Sequence, residues 1–323
     1  MNQTLSQIYQ GSARFSRVTA AVAILLFAGL QFTNFEITMK AQVALAVIAL
    51  AIGIPHGAID HLITIPRDST KRFVGFIVIY TLIAVVAALA IAQWNLVGFQ
   101  LVVLMSALHF GFGDSAFANE SQAAAEKNGY SNLVLASYAI PAGFLPVVLP
   151  LTDKRTLDVL QELNPALINW AGAFTELLRN STLAVAVISF LLLIVIRNYS
   201  LALDLALLLA LSFFAPPLVA FAIYFGLWHA IRHTARLVPK LPSAMQKVSS
   251  GKPLASFFAA VIPGLYAILG IFIIGIFFVA KGTTDVSSDF LWIILVIIWA
   301  LTVPHMATTA KFDLRAFKNS LHP

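Results

Sequence analysis

Apolar runs of about twenty residues recur from one end of this chain to the other, and that recurrence constrains the fold more than anything else in it. A helix needs roughly 20 apolar residues to cross a hydrocarbon core of about 30 Å. It also satisfies its own backbone polar groups, which lipid cannot do for it. Spans are expected over 18–34, 42–63, 73–93, 98–118, 132–150, 181–197, 201–216, 218–236, 254–280 and 288–310. The seventh is short and ends at Pro216-Pro217, where a helix breaks or kinks, so counts of eight or nine stay open. The expected fold is an all-α, polytopic transmembrane helical bundle of about ten spans. It forms a single integral-membrane domain over residues 1–323.

Composition excludes the alternatives. The chain is 60% hydrophobic and 11% charged, with a mean hydropathy of +0.90, where soluble domains carry about 25% charged residues. The segment Met1–Arg17 lacks the short apolar core and small-residue cleavage site of a secretory signal and is expected to be retained. The net charge of +6 does not point to nucleic acid, because the basic residues sit in short loops between spans. Arg14, Arg17, Arg67, Lys71, Arg72, Arg236, Lys240, Lys247, Lys252, Lys311, Arg315 and Lys318 fall on one side of a ten-span chain. By the positive-inside rule that side is the cytoplasm, so both termini are expected there and the protein in the cell's plasma or inner membrane. Lys154, Arg155 and Arg179 in the longer opposite loop run against this bias. In the same loop, Leu157, Leu160, Leu163, Leu167, Ile168 and Trp170 recur at helical spacing, which suggests an interfacial amphipathic helix between Asp153 and Arg179.

Six of the seven histidines lie inside apolar spans, where polar side chains are costly and usually functional. His56 and His61 are on the second span, His109 on the fourth, His229 and His233 on the eighth and His305 on the tenth; His322 is in the tail. These four spans cross in one direction, with each histidine in the second half, so all can share one depth. His56 precedes Arg67 by 11 residues and His229 precedes Arg236 by 7, which at 1.5 Å per residue puts both roughly 10–17 Å from the loop ends. His229 and His233, spaced i and i+4, share one helix face, as two ligands from one helix must. One such histidine is as readily an interhelical hydrogen bonder; six at matched depth point to a metal ion. With no cysteine in the chain, thiolate ligands are excluded, and an imidazole site suits Fe, Cu, Zn or Ni.

Asp60 and Asp114 are candidates to orient imidazoles from behind, as metal-bound histidine usually requires. Pairing with Arg67 or Arg232 is the alternative. Asp204 reads as interfacial and receives no role. Phe110, Phe112, Phe221, Tyr224, Phe225 and Trp228 surround the histidine segments, as packing, lipid contact or the wall of a pocket for a lipid-soluble substrate. Gly57, Gly111 and Gly226 beside the same segments allow close helix approach or leave substrate space.

The segments Pro55-His56-Gly57-Ala58-Ile59-Asp60-His61, His109-Phe110-Gly111, Trp228-His229 through His233 and Pro304-His305 closely resemble the Brp/Blh family of membrane β-carotene 15,15′-dioxygenases, in order and spacing over nearly the whole chain. The resemblance implies cleavage of the central double bond of β-carotene by O₂ into two molecules of all-trans retinal. It implies iron(II) held by histidines, most directly His56, His109, His229 and His233, and a functional link to a microbial rhodopsin that uses the retinal. Asp60, His61, Asp114, Tyr224, Trp228 and His305 are then placed behind the ligands or in the substrate pocket, with a rearranged ligand set left open for His61 and His305. His61 is five residues from His56, about 140° round a straight helix, so both hardly aim at one ion. Two rival classes stand beside this reading. A membrane di-iron hydroxylase or desaturase fits H-x4-H and H-x3-H, but it would show further histidine boxes and adjacent His-His pairs, which this chain lacks. A non-enzymatic haem or metal carrier would also ligate through facing helices.

Overall fold

The computed structural model describes residues 2–33, 35–65, 69–281 and 288–318; Arg67, Gly282 and His322 lie outside them. In chain order the helices are α1 (Asn2–Leu30), α2 (Met39–Gly57), the short α3 (Asp60–Thr64), α4 (Thr70–Gln93), α5 (Asn95–Ala124), α6 (Asn132–Leu151), α7 (Leu157–Leu163), α8 (Thr175–Val195) and α9 (Tyr199–Phe214). They continue with α10 (Pro217–Ala222), a π-helical stretch over Ile223–His229, α11 (Ala230–Leu237), α12 (Pro242–Ser249), α13 (Pro253–Val261), α14 (Leu265–Lys281) and α15 (Ser288–Lys318). No strand occurs among the described residues. Among the described residues, eight helical runs are long and apolar enough to cross a membrane. The other two expected spans are α9, only 16 residues long, and the broken rod of α10, the π stretch and α11. Leu25, Val78, Leu89 and Tyr266 stand exposed on the outer faces, the surface a lipid-embedded bundle presents.

Helix α1 starts sixteen residues before the expected span. Its buried side is a file of mostly small residues, Thr4, Ile8, Ser12, Ser16, Ala20, Ala23 and Phe27, at spacings of three and four. That seam lets a polar segment pack against the bundle along its whole length. Arg17 on this helix reaches Asp204 at 2.6 Å.

The tightest crossing joins α5 to α6. Ala107-x3-Gly111 faces Ala139-x3-Gly143, and a Cβ on Gly111 would land on the Ala139 carbonyl oxygen, one on Gly143 on the Ala107 carbonyl oxygen. The small-x3-small pattern brings the two backbones into contact. Because His109 lies between Ala107 and Gly111, this crossing also fixes the helix that carries it.

Two sequence readings are corrected. The segment between Asp153 and Arg179 is not one amphipathic helix: it breaks at Asn164, which is extended before Pro165, and α8 starts already at Thr175. A residue before proline is pushed out of the helical region. The apolar residues Leu160, Leu167 and Trp170 are buried within the bundle instead of lying on a membrane surface. Trp170 donates to the Leu151 carbonyl at 3.0 Å and packs edge-on against Phe99.

Asp204, given no role by the sequence, is a buried ion-pair residue. It is 2% exposed, accepts from Arg232 at 2.9 Å and Arg17 at 2.6 Å, and stands 3.4 Å from the Tyr138 hydroxyl. Arg236 likewise is no loop cation: it is buried, clamped by both oxygens of Glu120 at 3.0 and 3.1 Å and by Asp313 at 2.8 Å. Such pairing is the usual condition for buried charge. The loop count that orients the chain therefore loses Arg17 and Arg236.

Candidate metal centre

Five imidazoles converge on one buried point. His56 comes from the end of α2, His109 from the middle of α5, His229 from the end of the π stretch, His233 from α11 and His305 from α15, just after Pro304. All five are buried, between 1% and 7% exposed. Around a closed circuit, ring centroids are 5.7 Å from His56 to His229, 5.3 Å to His109, 5.2 Å to His305 and 5.4 Å back to His56. His233 lies 4.9 to 6.1 Å from all four.

The local sequence explains how each ring arrives. Helix α2 stops at Gly57, two residues after Pro55, and the chain restarts as α3 with Asp60 in its first turn. That break, rather than a straight helix, separates His61 from His56. His61 packs edge-on against Phe73 on α4, outside the imidazole circuit. The π-helical stretch lets Tyr224, Trp228 and His229 all face α5, and such stretches are frequent at functional sites. The Tyr224 hydroxyl and Trp228 indole N–H both donate to Asp114, at 3.3 and 2.9 Å. The other Asp114 oxygen lies 3.5 Å from His229 Nδ1, a charge beside the ring rather than a good hydrogen bond.

Outer partners also set two tautomers. His305 Nδ1 donates to the Asp60 carboxylate, with oxygens at 2.9 and 3.1 Å, and Asp60 is further held by the Tyr80 hydroxyl at 3.1 Å. Thr309 gives its hydroxyl hydrogen to the His305 carbonyl at 3.1 Å, so its lone pair can accept the Nδ1–H of His109 at 3.3 Å. With hydrogen on Nδ1 and the rings neutral, Nε2 carries the lone pair in both.

The site fits a cation. His56 Nδ1, His109 Nε2, both nitrogens of His229, both of His233 and His305 Nε2 are buried with no hydrogen-bond partner from the protein. An orphaned buried polar group costs about 1–3 kcal/mol, and every ring here has at least one. Imidazoles sharing an ion through bonds of about 2.1 Å would have adjacent centroids roughly 4.5 Å apart at right angles and roughly 5.2 Å apart at the tetrahedral angle. The closed circuit lies at the second value or somewhat above it, and among the described residues no three His, Asp or Glu groups are already closed to coordinating distance. The donor set is neutral nitrogen throughout, suited to Fe, Cu, Zn or Ni.

One wall of the cage opens onto an apolar cavity of about 500 Å³, onto which His56, His109 and His305 face. Its lining includes Leu50 and Ile54 of α2, Val102 and Phe110 of α5, Phe221 and Phe225, Ile271 of α14 and Trp299 of α15, and it reaches Pro150 and Leu167 at the far end. His61 and Tyr80 also border it. Tyr224 and Trp228 do not: both are fully buried behind His229. Phe112 lies on an exposed face. Of the three glycines, Gly226 packs against Ala49, Gly111 against α6, and Gly57 faces the His305 ring.

A family model for β-carotene 15,15′-dioxygenase matches residues 47–313, which takes in all five converging histidines. The chain belongs to the β-carotene 15,15′-dioxygenase family. A curated relative named β-carotene 15,15′-dioxygenase, from uncultured marine bacterium 66A03, is 29% identical over 272 residues, covering 81% of this chain and 90% of the relative. No solved structure matches the chain. As a β-carotene 15,15′-dioxygenase the chain is an oxidoreductase. Sequence reasoning missed Thr309, Tyr80, Asp204, Arg236, Glu120 and Asp313. The side chains they meet lie 20 to 200 residues away in the chain, and no spacing rule marks them.

Proposed function

We propose that this β-carotene 15,15′-dioxygenase cuts the central bond with O₂ into two molecules of all-trans retinal, using iron(II) held by His56, His109, His229 and His233. The observation that carries the reading is the junction of orphaned imidazole nitrogens with an apolar cavity in the bundle interior. His56, His109, His229 and His233 would hold iron(II) among neutral nitrogens, where it would supply O₂ activation beside a bound alkene. In the overall reaction one C=C bond becomes two C=O bonds, both oxygen atoms of O₂ are consumed, and the electrons come from the alkene.

The chain's own residues bind, orient and exclude water. The polyene is about as long as the hydrocarbon core is thick, roughly 30 Å, so it passes from lipid into a channel between helices. Phe110, Phe221 and Phe225 line the cavity next to the imidazoles, where they hold the middle of the polyene. Regioselectivity then rests on positioning, since an ångström of misplacement can cost a hundredfold in rate. Asp60 and Thr309 keep His305 and His109 in one tautomer, and Asp114 places its charge beside His229. The protein would sit in the plasma or inner membrane with both termini in the cytoplasm, functionally linked to a microbial rhodopsin that takes the retinal.

Expression in β-carotene-producing cells tests the reading. The colour should bleach and retinal should be the product; apocarotenals of unequal length would mean that the cavity sets the bond off-centre, contrary to the proposal.

A further inference from the structure

We propose that His305 is a fifth imidazole of the metal centre and that Asp60 is the positioning residue that aims it. The inference rests on the metal reading above and extends its ligand set.

The circuit geometry is the first support. Three imidazoles contact both His56 and His109: His233, at 4.9 and 6.1 Å, and two that stand at near-equal spacings from the pair, His229 at 5.7 and 5.3 Å and His305 at 5.4 and 5.2 Å. His305 thus occupies a place equivalent to that of His229. Without it, the circuit from His56 to His109 on that side is open.

The chemistry of the ring is the second. An imidazole has two nitrogens, and in the neutral ring the one that donates leaves the other with a lone pair. His305 gives Nδ1 to Asp60, at 2.9 and 3.1 Å, so Nε2 bears the lone pair. That atom is buried and has no partner from the protein. A carboxylate that takes one ring N–H while the opposite nitrogen faces a cation is the usual arrangement of a metal-bound histidine. If His305 served only as an ion-pair partner of Asp60, it would be protonated, and its second N–H would be buried with nothing to accept it.

Asp60 is built for this task. It is 2% exposed and opens α3 directly after the break in α2, and Tyr80 holds it by donating at 3.1 Å. The Tyr80 hydroxyl also lies 3.4 Å from the Leu301 carbonyl of α15, one turn before His305. Asp60 therefore couples the positions of α3, α4 and α15.

The test uses purified full-length wild type, His305→Ala and Asp60→Asn, each checked for membrane insertion and monodispersity. Iron(II) affinity is measured by competition with a chelator, and the number of imidazole scatterers by X-ray absorption at the iron edge. Wild type should fit one imidazole more than His305→Ala, with affinity falling more than 100-fold in that variant. Asp60→Asn should keep the full imidazole count and lose about 10–100-fold, as an outer partner does. Equal imidazole counts in wild type and His305→Ala, or an affinity change under tenfold, would overturn the inference and leave the four-histidine reading standing. A wild type that takes up no iron would overturn both. Should His305→Ala fail to insert, the wild-type spectrum decides: five imidazoles support the inference and four refute it.

Discussion

Asp204→Asn should destabilise this bundle more than any substitution on its lipid-facing surface. Among the described residues, Asp204 is the one carboxylate paired with the buried Arg232 guanidinium, at 2.9 Å, and Arg232 is 1% exposed. Removing one partner of a buried pair typically costs about 3–5 kcal/mol, because the other charge is left uncompensated. Arg232 keeps Ser16 Oγ at 2.9 Å and the Trp228 ring at 3.8 Å, which places the expected loss near the lower end, about 3 kcal/mol. Arg17, partly exposed, can turn to water and adds little. Unfolding in mixed micelles by increasing SDS, followed by tryptophan fluorescence, reads the loss. A double variant with Arg232→Met removes both charges and should recover at least about 1.5 kcal/mol relative to additivity, since charge-free replacements of buried pairs are often near neutral. An Asp204→Asn protein within about 0.5 kcal/mol of wild type, the scale of an ordinary surface change, would refute the reasoning; so would a strictly additive double variant.

Three further outcomes follow from the same geometry. Gly143→Leu should drive α6 off the Ala107 carbonyl and cost about 1–3 kcal/mol or more by overpacking, with iron lost alongside because α5 carries His109; iron content and SDS midpoint check it, and a wild-type midpoint would contradict it. Asp114→Ala should leave the Tyr224 and Trp228 donors unpaired and lower iron affinity about 10–100-fold while cleavage persists, measured by chelator competition; complete loss of cleavage at full iron loading would count against a supporting role. Reporter tags at Lys247 and at the C-terminus should both read cytoplasmic and one near Gly282 the opposite side, even though Arg17 and Arg236 are engaged inside the bundle; opposite readings for the first two would undo the ten-span topology.

Much of this site could be read from the chain because membrane spans leave so few polar residues to explain. His56, His109, His229 and His233 stand out against apolar surroundings, and span parity alone sets them at one depth. The Ala-x3-Gly pairs on α5 and α6 are legible in the same way once two helices are known to meet. Readings that assumed continuous helices failed, as at the α2 break after Gly57, the π stretch before His229 and the segment around Asn164-Pro165. A period of 3.6 residues cannot report where a helix gives up its own hydrogen bonding. Charge pairs failed for another reason. Arg17 and Asp204 are 187 residues apart and Arg236 and Glu120 are 116, so these pairs stay hidden until α1, α5, α9 and α11 are packed together. His305 is the intermediate case, visible as an intramembrane histidine but assigned to the ring circuit only by the fold.

The central claim is that this histidine cage holds one non-haem iron, and metal analysis of the purified protein together with its visible spectrum addresses it most directly. The account predicts one iron per chain, no Soret band, and loss of that iron in each of His56→Ala, His109→Ala, His229→Ala and His233→Ala while the protein still inserts. Two irons per chain, a Soret band, or full iron retention in any two of those four variants would contradict it.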